Sequence, residues 1–398
     1  MKLVTASMLL AAATLPVAAD FDLTGSLGAE SRLFLEDGSL PGQLNTFQGS
    51  LELELDARWS LGQGRWDVVV VPYARLDEKD SKRTHFDLRE AYVRYNGDVV
   101  SVRAGLAKVY WGVAESVHLV DIINQSDSIE DLDNEDKLGQ PMLEISMQQD
   151  WGLLTGYLMP AFRKRTFPGV NGRLRLPLPV DNDLALFDQG ADDDADVDFA
   201  LRYSHYFGDW DVGLSFFHGA NREARFVVDQ NANAFATYYD NITQVGLDLQ
   251  YTKEAWLWKF EGIVRDTPFE TFTAAVGGVE YSFYGITESG ADLGVLVEFQ
   301  YDGRSEDPLI SPASVADQDV MLGARYTMND ADDTSVLAGV VTDLGDGSMS
   351  GILEATKRFG DVWVGEIEGR FFMNVDPNNT LAGFKEDSHL MLRLSRYF

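Results

Sequence analysis

The chain contains no cysteine, so no disulfide holds it together. Beyond its first residues it also lacks any apolar run that could cross a bilayer as a helix. Stretches such as Val68 to Val71 end after a few residues, whereas a spanning helix needs about 20. A helical membrane protein is therefore excluded. Basic residues are scarce: 32 Lys and Arg stand against 64 Asp and Glu, for a formal charge of -32. A chain this acidic is a poor partner for nucleic-acid phosphates, and no nucleic acid is expected to bind.

What is present begins with an export signal. Lys2 supplies a short positive start, Leu3 to Ala13 form an apolar stretch of signal-peptide length, and Val17-Ala18-Ala19 offers small residues for cleavage before Asp20. The expected division is a leader over 1–19 and a single domain over 20–398. An N-terminal membrane helix would need a longer run than this one, which meets Thr14 and Pro16. An exported chain of this size without disulfides needs another source of rigidity. A closed sheet, in which every strand pairs on both sides, supplies one.

The remainder reads as segments of about ten residues in which apolar and polar positions alternate, the period that sends successive side chains to opposite faces of a strand. In Leu51-Glu52-Leu53-Glu54-Leu55-Asp56-Ala57-Arg58-Trp59 one face is apolar and the other is entirely charged. About 18 such segments are counted, beginning near Phe21, Phe47, Trp66, Phe86, Val99, Met142, Gly152, Val197, Trp210, Asn241, Trp256, Phe272, Leu293, Val320, Ser335, Gly351, Val362 and Ser388. Short turns rich in Gly, Asn and Asp occupy every second connection, and most of the others are long, as in 112–141 and 162–196. Bacterial outer-membrane barrels carry short periplasmic turns and long outer loops. The expected fold is an all-β, antiparallel transmembrane barrel of about 18 strands. Two short outward links and the long turn at 284–292 leave 16 open.

Aromatic residues collect at strand ends (Trp59, Trp66, Tyr95, Trp151, Tyr203, Trp210, Tyr251, Trp256 and Trp363 among them), where rings sit at a membrane interface. In the last segment Leu390, Leu392, Leu394 and the terminal Phe398 share one face, interrupted by Arg396. This pattern resembles the C-terminal signature of outer-membrane barrel proteins. The resemblance implies barrel-assembly machinery as a partner, alongside outer-membrane lipid and lipopolysaccharide. Association of three barrels is left open.

The segment Leu88-Arg89-Glu90-Ala91-Tyr92-Val93-Arg94-Tyr95, followed by Val102-Arg103-Ala104-Gly105-Leu106-Ala107-Lys108-Val109-Tyr110-Trp111-Gly112, resembles the early hairpin of porin-like outer-membrane families, including uncharacterised porin-like proteins and the alginate-export type. It covers about a tenth of the chain. It implies a channel in the outer membrane of a Gram-negative bacterium and names no solute.

Alternation assigns the pore-lining candidates, since Arg or Lys facing lipid at the midplane costs about 2–4 kcal/mol. They are Glu52, Glu54, Asp56, Arg58, Arg75, Glu90, Arg94, Arg103, Glu366, Glu368 and Arg370, with Arg202, Asp248, Lys259, Glu261, Glu298, Arg325 and Arg393 in the same phase. Charges of both signs on one side of so many strands describe a wet interior, whether they pair across strands or form a selective site. The acidic run Asp127, Glu130, Asp131, Asp133, Glu135 and Asp136 would narrow the pore if the long link carrying it folds inward. As an outward loop it would be hydrated or would hold divalent cations. Asp192, Asp193, Asp194 and Asp196 read as a solvated outer loop without the Gly and terminal Glu of a calcium-loop motif. Arg163, Lys164, Arg165, Arg173 and Arg175 would either pair with Asp181, Asp183 and Asp188 of their own loop or hold anionic groups from outside.

No cofactor and no metal-ligand motif is read. Only His85, His118, His205, His218 and His389 could act as imidazole bases, and none lies in a catalytic pattern. A barrel enzyme and a structural or adhesive barrel without an open pore remain the alternatives to passive passage of small polar or charged solutes.

Overall fold

The structure, a computed structural model, describes residues 20–188 and 197–398. The expected leader over 1–19, with Asp192, Asp193, Asp194 and Asp196, falls outside the described residues. Where side chains alternate, the backbone is extended. The first seven barrel strands are β1 (Asp20–Phe34), β2 (Phe47–Leu61), β3 (Trp66–Asp77), β4 (His85–Asn96), β5 (Val100–Ala107), β6 (Gln140–Gln149) and β7 (Gly152–Met159). They are followed by β8 (Asp198–Phe207), β9 (Trp210–Ala220), β10 (Asn241–Lys253), β11 (Trp256–Asp266) and β12 (Thr271–Phe283). The last six are β13 (Asp292–Asp302), β14 (Gln318–Thr327), β15 (Ser335–Asp343), β16 (Met349–Phe359), β17 (Trp363–Met373) and β18 (His389–Tyr397).

Each strand pairs antiparallel with its sequence neighbours, and β18 pairs with β1 from Ser26↔Tyr397 to Phe34↔His389, so the 18-stranded sheet is closed. The 16-strand alternative falls away. Short turns gather at one end and long loops at the other. Three further extended pieces, Leu186–Phe187, Arg225–Asp229 and Ala234–Tyr239, form a small sheet among the long loops.

The outer wall is apolar over its mid-height. Leu53, Val297, Leu322 and Leu394 are exposed there, a continuous surface that only hydrocarbon can cover at low cost. At the turn end, rings pair across neighbouring strands. Phe21 lies 4.9 Å from Trp59, Trp66 4.9 Å from Tyr95, Trp210 4.6 Å from Tyr251 and Trp256 4.6 Å from Tyr281. These rings make the girdle expected at one membrane interface. The barrel is thus built to span a bilayer through its strands.

One irregularity repositions charge. The register of β3 against β4 shifts between Val71 and Pro72, where proline cannot donate to the ladder and a bulge is tolerated. Arg89 is the unpaired residue opposite that shift. Arg89 and Glu90, neighbours in sequence, both reach the interior, and the strand's inward phase changes from odd to even positions.

Candidate functional site

Residues 108–139, between β5 and β6, fold into the barrel. The first reason is apolar. Val109, Trp111, Val120, Ile122, Ile123 and Leu138 need burial, each worth about 1.5–3 kcal/mol or more when fully covered. The inner wall meets most of them with Val69, Val71, Met142, Tyr157, Phe217, Ile242, Ile263 and Phe272, in one buried cluster with all of these except Leu138. The wet interior expected from the alternation is therefore interrupted: along β3 to β12 the loop packs an apolar core against the inner wall. Asn124 braces the loop by donating to the carbonyls of Ala107 and Leu138 at 2.9 and 2.8 Å, while its own oxygen accepts from the Val109 N–H.

The second anchor is polar. Glu261 on β11 accepts the N–H groups of Val113 and Ala114 at 2.7 and 2.9 Å and that of Val120 at 3.2 Å. Glu298 on β13 accepts those of Glu115 and Ser116, both at 2.8 Å, and the Ser116 hydroxyl at 2.6 Å. Two wall carboxylates thus satisfy the exposed backbone donors of a segment crossing the barrel, bonds stronger than neutral ones. The Glu115 carboxylate returns the contact, lying 2.7 Å from Arg325 and 3.4 Å from Lys259.

The third anchor uses the acidic run. Glu130 lies 2.6 Å from Arg75, Asp127 pairs with Arg89, and Asp131 lies 3.8 Å from Arg32. Glu30 on β1 completes this network, at 3.0 Å from Arg32, 2.9 Å from Arg75, 2.6 Å from Arg83 and 2.9 Å from Arg393. Burial alone would raise the carboxyl of Glu130, but the guanidiniums of Arg75, Arg83 and Arg89 outweigh it and hold it below the usual range. Asp131 is likewise lowered, by Arg32 and Arg370 against its burial. The other half of the run faces the opening: Asp133 pairs with Arg370 on β17, Glu135 is largely exposed beside His118, and Asp136 is exposed. The Nε2 of His118 lies 3.0 Å from Glu135 and its Nδ1 3.8 Å from Glu261. The hydrogen bond to Glu135, together with the nearby Glu261 carboxylate, pushes its imidazole up to about 10.

Of the remaining pore-lining candidates, Arg75 and Glu90 touch the loop, and most of the others lie along the wall away from it. Arg75 is joined by Glu52 as well as Glu130. Asp56 and Arg58 pair with each other at 2.8 Å near the turn end. Glu54 lies between them and Glu52 on the same face. Glu90 accepts the Lys108 N–H at 3.1 Å, Arg94 lies over the Tyr92 ring at 5.3 Å, and Arg103 pairs with Glu144. On β17, Glu366 lies 3.5 Å from Arg393, and Glu368 follows it on the inner face. The loop carboxylates do not stand across open space from the wall cations Arg75, Arg94 and Arg103: Arg75 is bonded directly to the loop, Arg94 lies over the Tyr92 ring and Arg103 pairs with Glu144.

Four of the basic outer residues do not pair with Asp181 or Asp183. Arg163 reaches Asp87 at 2.7 Å and Arg173 reaches Asp387, while Arg165 bonds Ser128 and Arg175 bonds backbone carbonyls. With Arg173 and Arg175 buried, they tie outer loops to one another and to the inward loop. The sequence reading missed Glu30, Arg32, Arg83 and Arg89. Glu30 and Arg32 carry the same alternation signal as β2 and were legible.

Between the loop and the opposite wall lies a cavity of ≈ 820 Å³. The loop contributes His118, Asp133 and Glu135, and β17 contributes Arg370. Across from them Met321, Leu337 and Ile352 on β14 to β16 form an apolar patch.

A closed antiparallel barrel of this kind is the fold of the outer-membrane porins. Among solved structures, the chain is similar to a BenF-like porin from Pseudomonas fluorescens Pf-5, with TM-score 0.56, 11% identity and coverage of 96% of this chain and 98% of that one. It is similar to Acinetobacter baumannii OccAB1, with TM-score 0.56, 8% identity and 96% of each chain covered. Pseudomonas aeruginosa OpdQ matches with TM-score 0.55 and 11% identity over 96% and 98% of the two chains. The alginate-export part of the sequence resemblance finds no counterpart among these three. No protein-family model and no curated protein matches the chain.

Proposed function

We propose that the protein is a passive channel of a Gram-negative outer membrane, exported through its leader, for small polar or charged solutes. The observation that carries this reading is the loop 108–139. It is held inside the barrel by Glu261 and Glu298, and it leaves an opening lined on one side by charge and on the other by an apolar patch. Such a lining suits a solute that carries both a polar group and an apolar portion. The short turns face the periplasm and the long loops face outward, as in bacterial barrels.

An enzymatic reading would need a hydroxyl nucleophile and a histidine in contact within the lumen. The one described pairing of this type, His218 with Thr243 at 2.9 Å, lies on the outer face, out of phase with lumen-facing Phe217 and Gln244. The test is planar-bilayer conductance of refolded protein. Stepwise ion currents are expected, and Glu298→Ala, which removes three hydrogen bonds that hold the loop, should give larger steps with more open-state noise. A correctly folded barrel that carries no current would refute the channel.

A further inference from the structure

At the outer end of β14 and β15, residues distant in sequence bring three carboxylates together. Asp317, Asp319 and Asp343 each offer an oxygen, and these oxygens lie within 4.8 Å of one another. Asp319 and Asp343 are directly opposite in register, an arrangement of like charges that destabilises a strand pair when nothing lies between them. Among the described residues none of the three has an ion-pair partner. Asp319 is only 3% exposed, and its Oδ2 is buried without a hydrogen-bond partner. A second cluster, His85, Asp127 and Glu130, is different, because Arg75 and Arg89 already occupy its carboxylates.

We propose that Asp317, Asp319 and Asp343 bind a divalent cation, Ca²⁺ in preference to Mg²⁺, at the outer mouth of the barrel. Ca²⁺ accepts six to eight oxygen ligands in flexible geometry, so three carboxylates completed by water suit it. Mg²⁺ demands a near-ideal octahedron and dehydrates reluctantly. The cation supplies the missing partner of Asp319 and removes the repulsion across β14 and β15. Its position also ties together the mouth. Asp343 accepts the Gly345 N–H at 2.6 Å in the turn 344–348, and Asn379 donates to both Asp343 and Asp346, at 2.9 and 3.0 Å. Asp319, Asp343 and Asn379 line the cavity described above, so the cation fixes the rim through which a solute enters.

The test uses the full barrel refolded in an uncharged detergent without lipopolysaccharide, stripped with chelator and titrated calorimetrically with CaCl₂. One saturable site is expected, with affinity weakened at least tenfold in Asp319→Asn and in Asp317→Asn. Ca²⁺ should raise the thermal unfolding midpoint of the wild type and leave that of Asp319→Asn unmoved. Asp317 is less buried than Asp319, so its variant keeps the comparison available if Asp319→Asn folds poorly. Absence of saturable binding to the wild type, or binding and midpoint shifts unchanged in the variants, overturns the proposal.

Discussion

Arg75 and Glu130 meet at 2.6 Å with side chains 1% and 4% exposed, and that burial decides what a substitution costs. Arg75 keeps Glu30 and Glu52 when Glu130 is neutralised, but the buried guanidiniums of Arg75, Arg83 and Arg89 together lose one of their counter-charges, a loss approaching that of a broken buried pair, about 3–5 kcal/mol. Glu130→Gln should therefore lower the urea midpoint of the refolded barrel strongly. Glu135→Gln, at a side chain 59% exposed, should cost less than about 1 kcal/mol, as surface pairs do. The roles reverse in conduction. Neutralising Asp133, Glu135 and Asp136 together should move the reversal potential in a salt gradient toward anions. The shift should shrink between 0.1 and 1 M salt as the Debye length falls from about 10 to about 3 Å. An unchanged reversal potential at low salt would place the loop tip outside the permeation path. His118 adds a pH dependence. Its folded value, about 10, lies above the ordinary value near 6.5. Its stabilisation is therefore fully present below about pH 6.5 and is lost as pH rises through about 10. Unfolding midpoints of wild type and His118→Gln should differ at pH 6 and converge above pH 10.5.

Within the strands, facing governs tolerance. Arg placed at Leu53 or Val297 meets hydrocarbon at a cost of about 2–4 kcal/mol, while Arg at Glu54 meets the lumen. Folding yield in lipid should fall for the first two and hold for the third; equal yields would contradict the assigned faces. This much was legible in the sequence, because a period of two follows directly from the pleat, and every predicted strand start lies within two residues of the observed one. The bulge was not. A strict period sends one of Arg89 and Glu90 to lipid, and only the charge doublet together with Pro72 on the partner strand hinted at a shift in phase. The dry half of the lumen was also missed, because Val69, Phe217, Ile242 and Ile263 are apolar in the inward phase and find their partners in a loop far away in sequence. The signal was there in Val68 to Val71, apolar on both faces, which marks a strand covered on both sides.

At the scale of the whole barrel, closure depends on its two ends. Gly25 and Phe398 exchange backbone hydrogen bonds, each at 3.0 Å, at the end of the seam between β1 and β18. Deleting Phe398 removes both bonds and the terminal ring. The amount of heat-modifiable barrel in outer-membrane fractions should drop, with export across the inner membrane unaffected, since the proposed leader at the other end of the chain is unchanged. Normal amounts would contradict a role for this residue in assembly.

The docked loop also has a consequence in time. Ala114 and Glu261 are 147 residues apart in sequence, and Glu115 and Glu298 are 183 apart. Contacts of such separation form late, since the chain between them must first be ordered. Until β11 and β13 have joined the sheet, residues 113–116 lack the carboxylate acceptors that hold them across the lumen. The constriction is thus set only once those two strands are in place, and a closed barrel whose loop had not yet docked would be a wider hole than the finished one.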